Sequence, residues 1–414
     1  MERVLIVGNG YAGLAAARTL ASKNGLAVTM VSAEPCPAYV PHLLPELAAG
    51  KKSEADLFLL DQADYAGLRV SFRPGARVEK LSAMNRTALL STGETVAFDK
   101  ALIATGSRAW IPGEIKEVVQ RCTNIVTMKR IADARALKGF IEEGAARVAI
   151  IGAGRVGMLL AEALKSSGVS VSVIEIGARI LATMLEEDMA EKLHPILAMR
   201  RHLRIHTGAK IAGIECEGAI AREIRLSDGT SIPCEVIVVA TGVTPNALFM
   251  ESGPADGEGV AVDNRMETSD PGIYAAGDVV SFETVTGRRE VGQLVQNART
   301  QGEIAARNIA GEKALCPPSF IGNVVKLDPV IAARIGDIEG SDRTDFRIGR
   351  SFARATVEGQ TVVGIQFVGD PEDLRGLAPA VLKKFTRADL SDLFQGRLDL
   401  GLAPLLAGRS HSWA

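Results

Sequence analysis

Short, continuous apolar runs alternate with glycine-punctuated turns and with helix-like stretches of small and apolar residues along most of this chain. The first run, Val4-Leu5-Ile6-Val7, is unbroken and rich in branched side chains. That is the pattern of a strand buried on both faces of a parallel sheet. Gly8-Asn9-Gly10-Tyr11-Ala12-Gly13 follows at once, Leu14 to Leu20 predicts a helix, and Ala27 to Val31 predicts a second strand. The same order restarts downstream. Val148 to Ile151 lead into Gly152-Ala153-Gly154-Arg155-Val156-Gly157, then a helix from about Met158 to Ser166 and a strand from Val169 to Ile174 ending at Glu175.

Each glycine has a physical task in such a unit. Gly8 permits the sharp turn, Gly10 lets the backbone approach a pyrophosphate, and Gly13 lets the helix pack closely on the strand. The helix N-terminus then offers free N–H groups and its dipole to the anion. An acid closing the second strand would bind ribose hydroxyls; Ser32 holds the first such position here and Glu34 follows, so Glu34 is the expected ribose ligand. In the second unit Gly152, Gly154 and Gly157 repeat the glycine roles, and Glu175 stands where a carboxylate would accept both ribose hydroxyls. Its charge would repel a 2′-phosphate, which favours NADH over NADPH, although Arg179 nearby pulls the other way.

Composition narrows the classes. The chain has 414 residues, 47% hydrophobic and 23% charged, a globular balance with room for two or three domains. A net charge of −2 gives no reason to expect a nucleic acid or a membrane surface as partner. No apolar run approaches the roughly 18 residues of a membrane span, and Met1 runs straight into a strand pattern without a secretory leader. The five cysteines, Cys36, Cys122, Cys216, Cys234 and Cys316, are scattered with no C-x-x-C pair. That argues against a disulfide scaffold or a cysteine-bound metal, and for a reduced cytoplasmic setting. His194, His202 and His206 read as surface or capping residues, and Arg200-Arg201 with Arg204 as a solvated face.

Three further segments complete the pattern: Ala101 to Gly106, Val238 to Gly242, and Gly272-Ile273-Tyr274-Ala275-Ala276-Gly277-Asp278. With the two fingerprints, in this order, they resemble the pyridine nucleotide–disulfide oxidoreductase superfamily over residues 1 to about 312. The resemblance implies that FAD is held by Gly8, Gly10, Ala12, Gly13, Glu34, Thr105, Gly106, Gly277 and Asp278, and NAD(H) by Gly152, Gly154, Gly157, Glu175 and Gly242. It implies that a helix over 293–309 runs under the flavin. The implied fold class is α/β: two Rossmann-like dinucleotide-binding domains, the NAD domain inserted in the FAD domain, plus a small C-terminal α+β domain. The FAD domain would comprise 1–112 and 245–315, the NAD domain 113–244, and the third domain 316–414. The third domain would carry strands at 323–327, 330–336, 351–357 and 361–368 and helices at 371–385 and 388–393, and would serve a homodimer or acceptor docking.

The segment Pro35 to Lys51 resembles the flavin reductases of rubredoxin, ferredoxin and nitrite-reductase type: Tyr39, Leu43, Leu44, Pro45 and Gly50 match, whereas Pro41-His42 replaces the usual Arg-Pro. A Lys–Glu pair found in many relatives is replaced by Glu46 and Leu159, and Glu162 reads as facing solvent or the adjoining strand. No cysteine pair stands where a redox disulfide would flank the flavin. Three functions stay open: transfer of electrons between NADH and a small redox protein through the flavin; reduction of coenzyme A disulfide, polysulfide or oxygen with Cys36 as a single catalytic cysteine; and a flavin-bearing subunit working with an iron–sulfur protein.

Overall fold

The computed structural model describes residues 1–389 apart from 62, 285, 286, 292, 293, 320, 341, 375, 376, 383, 384 and 387. Gln293 and all but the start of the helix expected over 388–393 therefore lie outside the described residues. Two compact units divide the chain. One comprises Met1–Gln120, Val126–Glu143 and Thr241–Ser319; the other comprises Arg121–Ile125, Gly144–Ala240 and the described part of Phe320–Ala414.

The first unit is built on five parallel strands, in the order Ile273–Ala275, Lys100–Ile103, Glu2–Val7, Leu26–Val31 and Val70–Arg73. Val4, Leu5, Ile6 and Val7 are at most 4% exposed, as a central strand covered on both faces requires. The helix after the first glycine turn, Tyr11–Ala21, buries Ala12, Gly13, Ala16 and Ala17. These small side chains let the helix Val295–Ile309 lie against it: a Cβ on Gly302 would fall 2.2 Å from the Ala12 carbonyl oxygen.

The second unit repeats the device. Leu203–His206, Ser170–Ile174, Arg147–Ile151 and Val236–Val239 lie side by side and parallel. The helix after the second glycine turn is Arg155–Ala163, closed by a single 3-10 turn over Leu164–Ser166. An antiparallel hairpin, Ile211–Glu217 with Ile220–Leu226, extends this half. The remainder of the unit is a five-stranded antiparallel sheet, ordered Gly322–Leu327, Val330–Gly336, Thr361–Gly369, Ser351–Glu358 and Asp342–Ile348. Its core includes Ile335, Ala355, Ile365 and Phe367, with Leu377, Ala380 and Val381 of the short helix Leu377–Leu382 packed in. The single helix expected over 371–385 is instead a turn at Pro371–Leu374 followed by that six-residue helix. Among the described residues no helix is long and apolar enough to cross a membrane.

One surface assignment changes, and one left open between solvent and the adjoining strand is decided. Glu162 does not face solvent: its side chain is 12% exposed and ion-pairs with Lys165 at 2.7 Å and with Arg200. Arg200 leaves the expected solvated face for the same reason, at 10% exposure, and also donates to the Asp328 carbonyl. A largely buried carboxylate needs a cation, and the helix places Glu162 within reach of both. His202 is likewise partly buried, and burial holds its pKa below the usual imidazole range.

Candidate functional site

Each glycine turn can be tested against the backbone it must serve. Gly8 adopts φ +116°, closed to residues with side chains, and a Cβ there would sit 2.2 Å from the Ala104 carbonyl oxygen. A Cβ on Gly13 would sit 2.1 Å from the Gly8 carbonyl oxygen, so the third glycine sets the helix directly on the turn. Gly10 differs: a Cβ there meets nothing within 4 Å, and as N-cap of Tyr11–Ala21 it makes no side-chain cap hydrogen bond. Open space over an uncapped helix start fits a pyrophosphate. The second unit matches closely. Gly152 has φ +106°, a Cβ on Gly157 would fall 2.0 Å from the Gly152 carbonyl oxygen, and Gly154 has nothing within 4 Å and no side-chain cap.

Glu175 ends the strand Ser170–Ile174 and turns its carboxylate back to the glycine turn. The backbone N–H groups of Ala153 and Gly177 each donate to one of its oxygens at 2.8 Å. Each oxygen keeps a further lone pair for a hydroxyl donor. Arg155 of the same turn donates to the Asn323 side chain.

Glu34 is held differently. The Tyr39 hydroxyl lies 3.1 Å from both of its oxygens, and the same hydroxyl accepts the Ile131 N–H at 3.2 Å. Burial pushes the Glu34 carboxyl up, partly offset by that phenol and by Arg130. A Tyr39→Phe variant removes a hydrogen bond to a charged group, which costs about 1.5–3 kcal/mol. A lower unfolding temperature in a thermal melt is therefore expected; an unchanged one would show that this bridge holds nothing.

Ala12 is buried in the helix after the first turn, its carbonyl under Gly302. Thr105 and Gly106 form a pinned turn: the Thr105 hydroxyl donates to the Asn246 carbonyl at 2.7 Å, the Asn246 N–H donates to the Gly106 carbonyl at 3.0 Å, and Gly106 has φ +66°. Gly242 falls in the first unit, where its carbonyl accepts the Trp110 N–H. Gly277 takes φ +84°, and its N–H donates to the Gln301 side chain at 2.9 Å. Asp278 accepts the Ser107 hydroxyl at 3.0 Å; the Lys129 ammonium donates to that hydroxyl at 2.7 Å and lies 3.8 Å from the Asp278 carboxylate. Lys129 and Ser107 were not singled out in the sequence, whereas Gln301 lies in the helix expected to run under the flavin. Lys129 is held just ahead of the helix Ile131–Glu142, where Asp133 accepts the N–H groups of Lys129 and Arg130.

Cys36 is 9% exposed, and its carbonyl accepts the Asn9 side-chain amide. Burial, with Glu34 nearby, pushes its thiol up to about 11. Cys316, the other cysteine of the first unit, is pushed to about 11 by burial alone. A thiolate nucleophile needs the opposite shift.

Comparison with known proteins identifies the family. The family model described as pyridine nucleotide-disulphide oxidoreductase matches residues 2–302. A probable ferredoxin reductase of Castellaniella defragrans is 31% identical over 75% of this chain and 76% of its own. The epsilon subunit of the NADH-dependent phenylglyoxylate dehydrogenase of Aromatoleum evansii is 29% identical over 75% and 73%. The solved NAD-dependent persulfide reductase of A. fulgidus superposes with a TM-score of 0.84 at 26% identity, covering 97% of this chain and 80% of that one. Twin glycine turns in α/β folds and a family match over most of the chain lead to one conclusion: the chain belongs to the pyridine nucleotide-disulphide oxidoreductase family and is an oxidoreductase working with FAD and NAD(H).

Proposed function

We propose that the chain carries electrons from NADH through FAD to a small electron-carrier protein of ferredoxin or rubredoxin type. In this reading the first unit holds FAD through Gly8, Gly10, Ala12, Gly13, Glu34, Thr105, Gly106, Gly277 and Asp278, and the Gly152 half of the second unit holds NADH through Gly154, Gly157 and Glu175. Bound FAD supplies the exchange between two-electron and one-electron chemistry. The protein's own groups then have limited tasks. The uncapped helix starts neutralise pyrophosphates, Glu175 selects a free ribose, and Asp278, held by Ser107 and Lys129, anchors a polar part of the flavin nucleotide.

The observation that carries the choice of acceptor is the state of Cys36. It is buried and pushed to about 11, the wrong direction for a relay thiolate, and Cys316 is no better placed. Electrons then leave from the flavin itself, as a carrier protein requires. The probable ferredoxin reductase among the relatives supports the same reading. A cytoplasmic setting belongs to it too, resting on five cysteines without a C-x-x-C pair.

The test is steady-state NADH oxidation with ferredoxin, rubredoxin, coenzyme A disulfide, polysulfide and oxygen offered in turn. Turnover is expected with a carrier protein, and Cys36→Ser is expected to change its kcat by less than about twofold, since a group that makes no interaction in the transition state leaves kcat nearly unchanged. Loss of turnover in Cys36→Ser, or turnover with small disulfides alone, would overturn the proposal. A second reading, a flavin-bearing subunit of a larger complex, draws on the relative named as an epsilon subunit. It is favoured instead if NADH reduces the flavin while no free carrier accepts the electrons.

A further inference from the structure

Two cysteines far apart in sequence meet in the second unit. The sulfurs of Cys122 and Cys216, 94 residues apart, lie 2.8 Å from each other. Cys122 precedes the strand Ile125–Thr127 and is 4% exposed; Cys216 lies in the strand Ile211–Glu217 and is more open. The approach is built rather than incidental, because the backbone on either side is fastened. The Thr123 N–H donates to the Ala219 carbonyl at 2.8 Å. The Asn124 side chain donates to the Ala221 carbonyl at 2.8 Å and accepts the Ala221 N–H at 2.8 Å, and Ala221 is the cross-strand partner of Cys216. Arg121 brings its guanidinium to both sulfurs.

We propose that Cys122 and Cys216 form a dithiol site of reversible oxidation, converted to a disulfide by low-molecular-weight disulfides. The thiols need only close from 2.8 Å to the ~2.05 Å of an S–S bond. Cys216, the more open sulfur, attacks the incoming disulfide RSSR. A bond forms between Cys216 and one R–S group, the original S–S bond breaks, and the departing RS⁻ leaves as RSH with the Cys216 proton. The Cys122 sulfur then attacks Cys216 in that mixed disulfide, the bond to R–S breaks, and a second RSH leaves with the Cys122 proton. Two protein thiols are oxidised by two electrons, and one RSSR is reduced to two RSH.

The surroundings suit this order. Burial pushes the Cys122 thiol up, and so does the neighbouring Cys216 sulfur, whereas Arg121 pulls it down. Once Cys216 is capped by R–S it no longer competes as a thiolate, and Arg121 remains to favour the attacking Cys122 thiolate. The new bond would tie Arg121–Ile125 covalently to the hairpin and close a loop that contains the whole segment Gly152–Glu175.

The experiment exposes the flavin-loaded protein to graded ratios of oxidised to reduced glutathione, quenches with an alkylating agent, and maps peptides by mass without reduction. The expected product is one linked pair, Cys122 with Cys216, reversed by excess reduced glutathione, while Cys36, Cys234 and Cys316 are alkylated as free thiols. Cys122→Ser is expected to stop at a glutathione adduct on Cys216, and Cys216→Ser to leave Cys122 at least tenfold less modified. The proposal is overturned if the wild-type protein keeps both as free thiols at ratios that fully oxidise dithiothreitol. It is equally overturned if the linked pair involves any other cysteine, or if Cys122→Ser gathers no adduct at Cys216. The wild-type map decides alone should either variant fail to fold.

Discussion

Gly13→Ala is expected to yield a protein that purifies without flavin and melts at a lower temperature. The added methyl would lie 2.1 Å from the Gly8 carbonyl oxygen and 3.4 Å from a methyl of Ile6. The first neighbour is backbone and cannot rotate away. Gly8 is itself confined, its own α-carbon facing the Ala104 carbonyl. The helix Tyr11–Ala21 cannot back off freely either, because Gly302 presses on the Ala12 carbonyl from the other side. Overpacking of this kind costs about 1–3 kcal/mol, and any relief displaces the helix start proposed to face the pyrophosphate. Retention of FAD should fall by at least tenfold, about 1.4 kcal/mol. Gly10→Ala supplies the contrast. Its methyl meets no protein atom within 4 Å, so the melt of the flavin-free protein should not change, yet the methyl would stand where the proposed site puts the pyrophosphate. Flavin content after gel filtration and a thermal melt of each apoprotein separate the two outcomes. If Gly13→Ala keeps both its flavin and its melting temperature, the close-packing role is wrong. If Gly10→Ala keeps its flavin, the pyrophosphate does not lie over Gly10.

What could be read from the sequence was local. Strand, glycine turn, helix and acid occupy about thirty consecutive residues, so Gly8 to Gly13 and Gly152 to Glu175 carry their geometry with them. The same reasoning missed Lys129, because nothing nearby marks it. Its link to the site runs through Ser107 and Asp278, which the fold delivers from distant segments. Cys122 and Cys216 were hidden in the same way: a rule that looks for cysteines two residues apart cannot detect a pair assembled by a hairpin and an entering strand. Arg200 was misplaced because polarity was taken as a sign of exposure, and solvent was kept open for Glu162 on the same ground. Each satisfies the other, and two opposite charges within reach can leave the surface together. The third segment was the least legible, since its helix is too short for periodicity to define.

Glu175→Ala is expected to reverse the choice between NADH and NADPH. In the native protein the carboxylate occupies the N–H groups of Ala153 and Gly177, one at each oxygen and both at 2.8 Å. In the proposed NADH site it would do two things at once: offer lone pairs to ribose hydroxyls, and fill with negative charge the place a 2′-phosphate would need. Removing it takes away charge-assisted hydrogen bonds to the ribose, each worth about 1.5–3 kcal/mol. The apparent affinity for NADH should fall by roughly tenfold to a hundredfold. The same change leaves two N–H donors that lack a partner and converge on one point, which is the arrangement an anion seeks. A 2′-phosphate can take the place of the carboxylate, so NADPH should gain while NADH loses. The ratio of kcat/KM for NADH over NADPH should drop by about a hundredfold or more, from the sum of both effects. Rapid-mixing measurement of flavin reduction with each nucleotide reads this directly. Glu175→Gln sharpens it: the amide keeps an acceptor for one N–H and for ribose but loses the charge, so NADH should suffer less than in Glu175→Ala while the barrier to NADPH still falls. Equal losses for both nucleotides in Glu175→Ala would show that Glu175 merely holds the turn in shape, and that the ribose is recognised elsewhere.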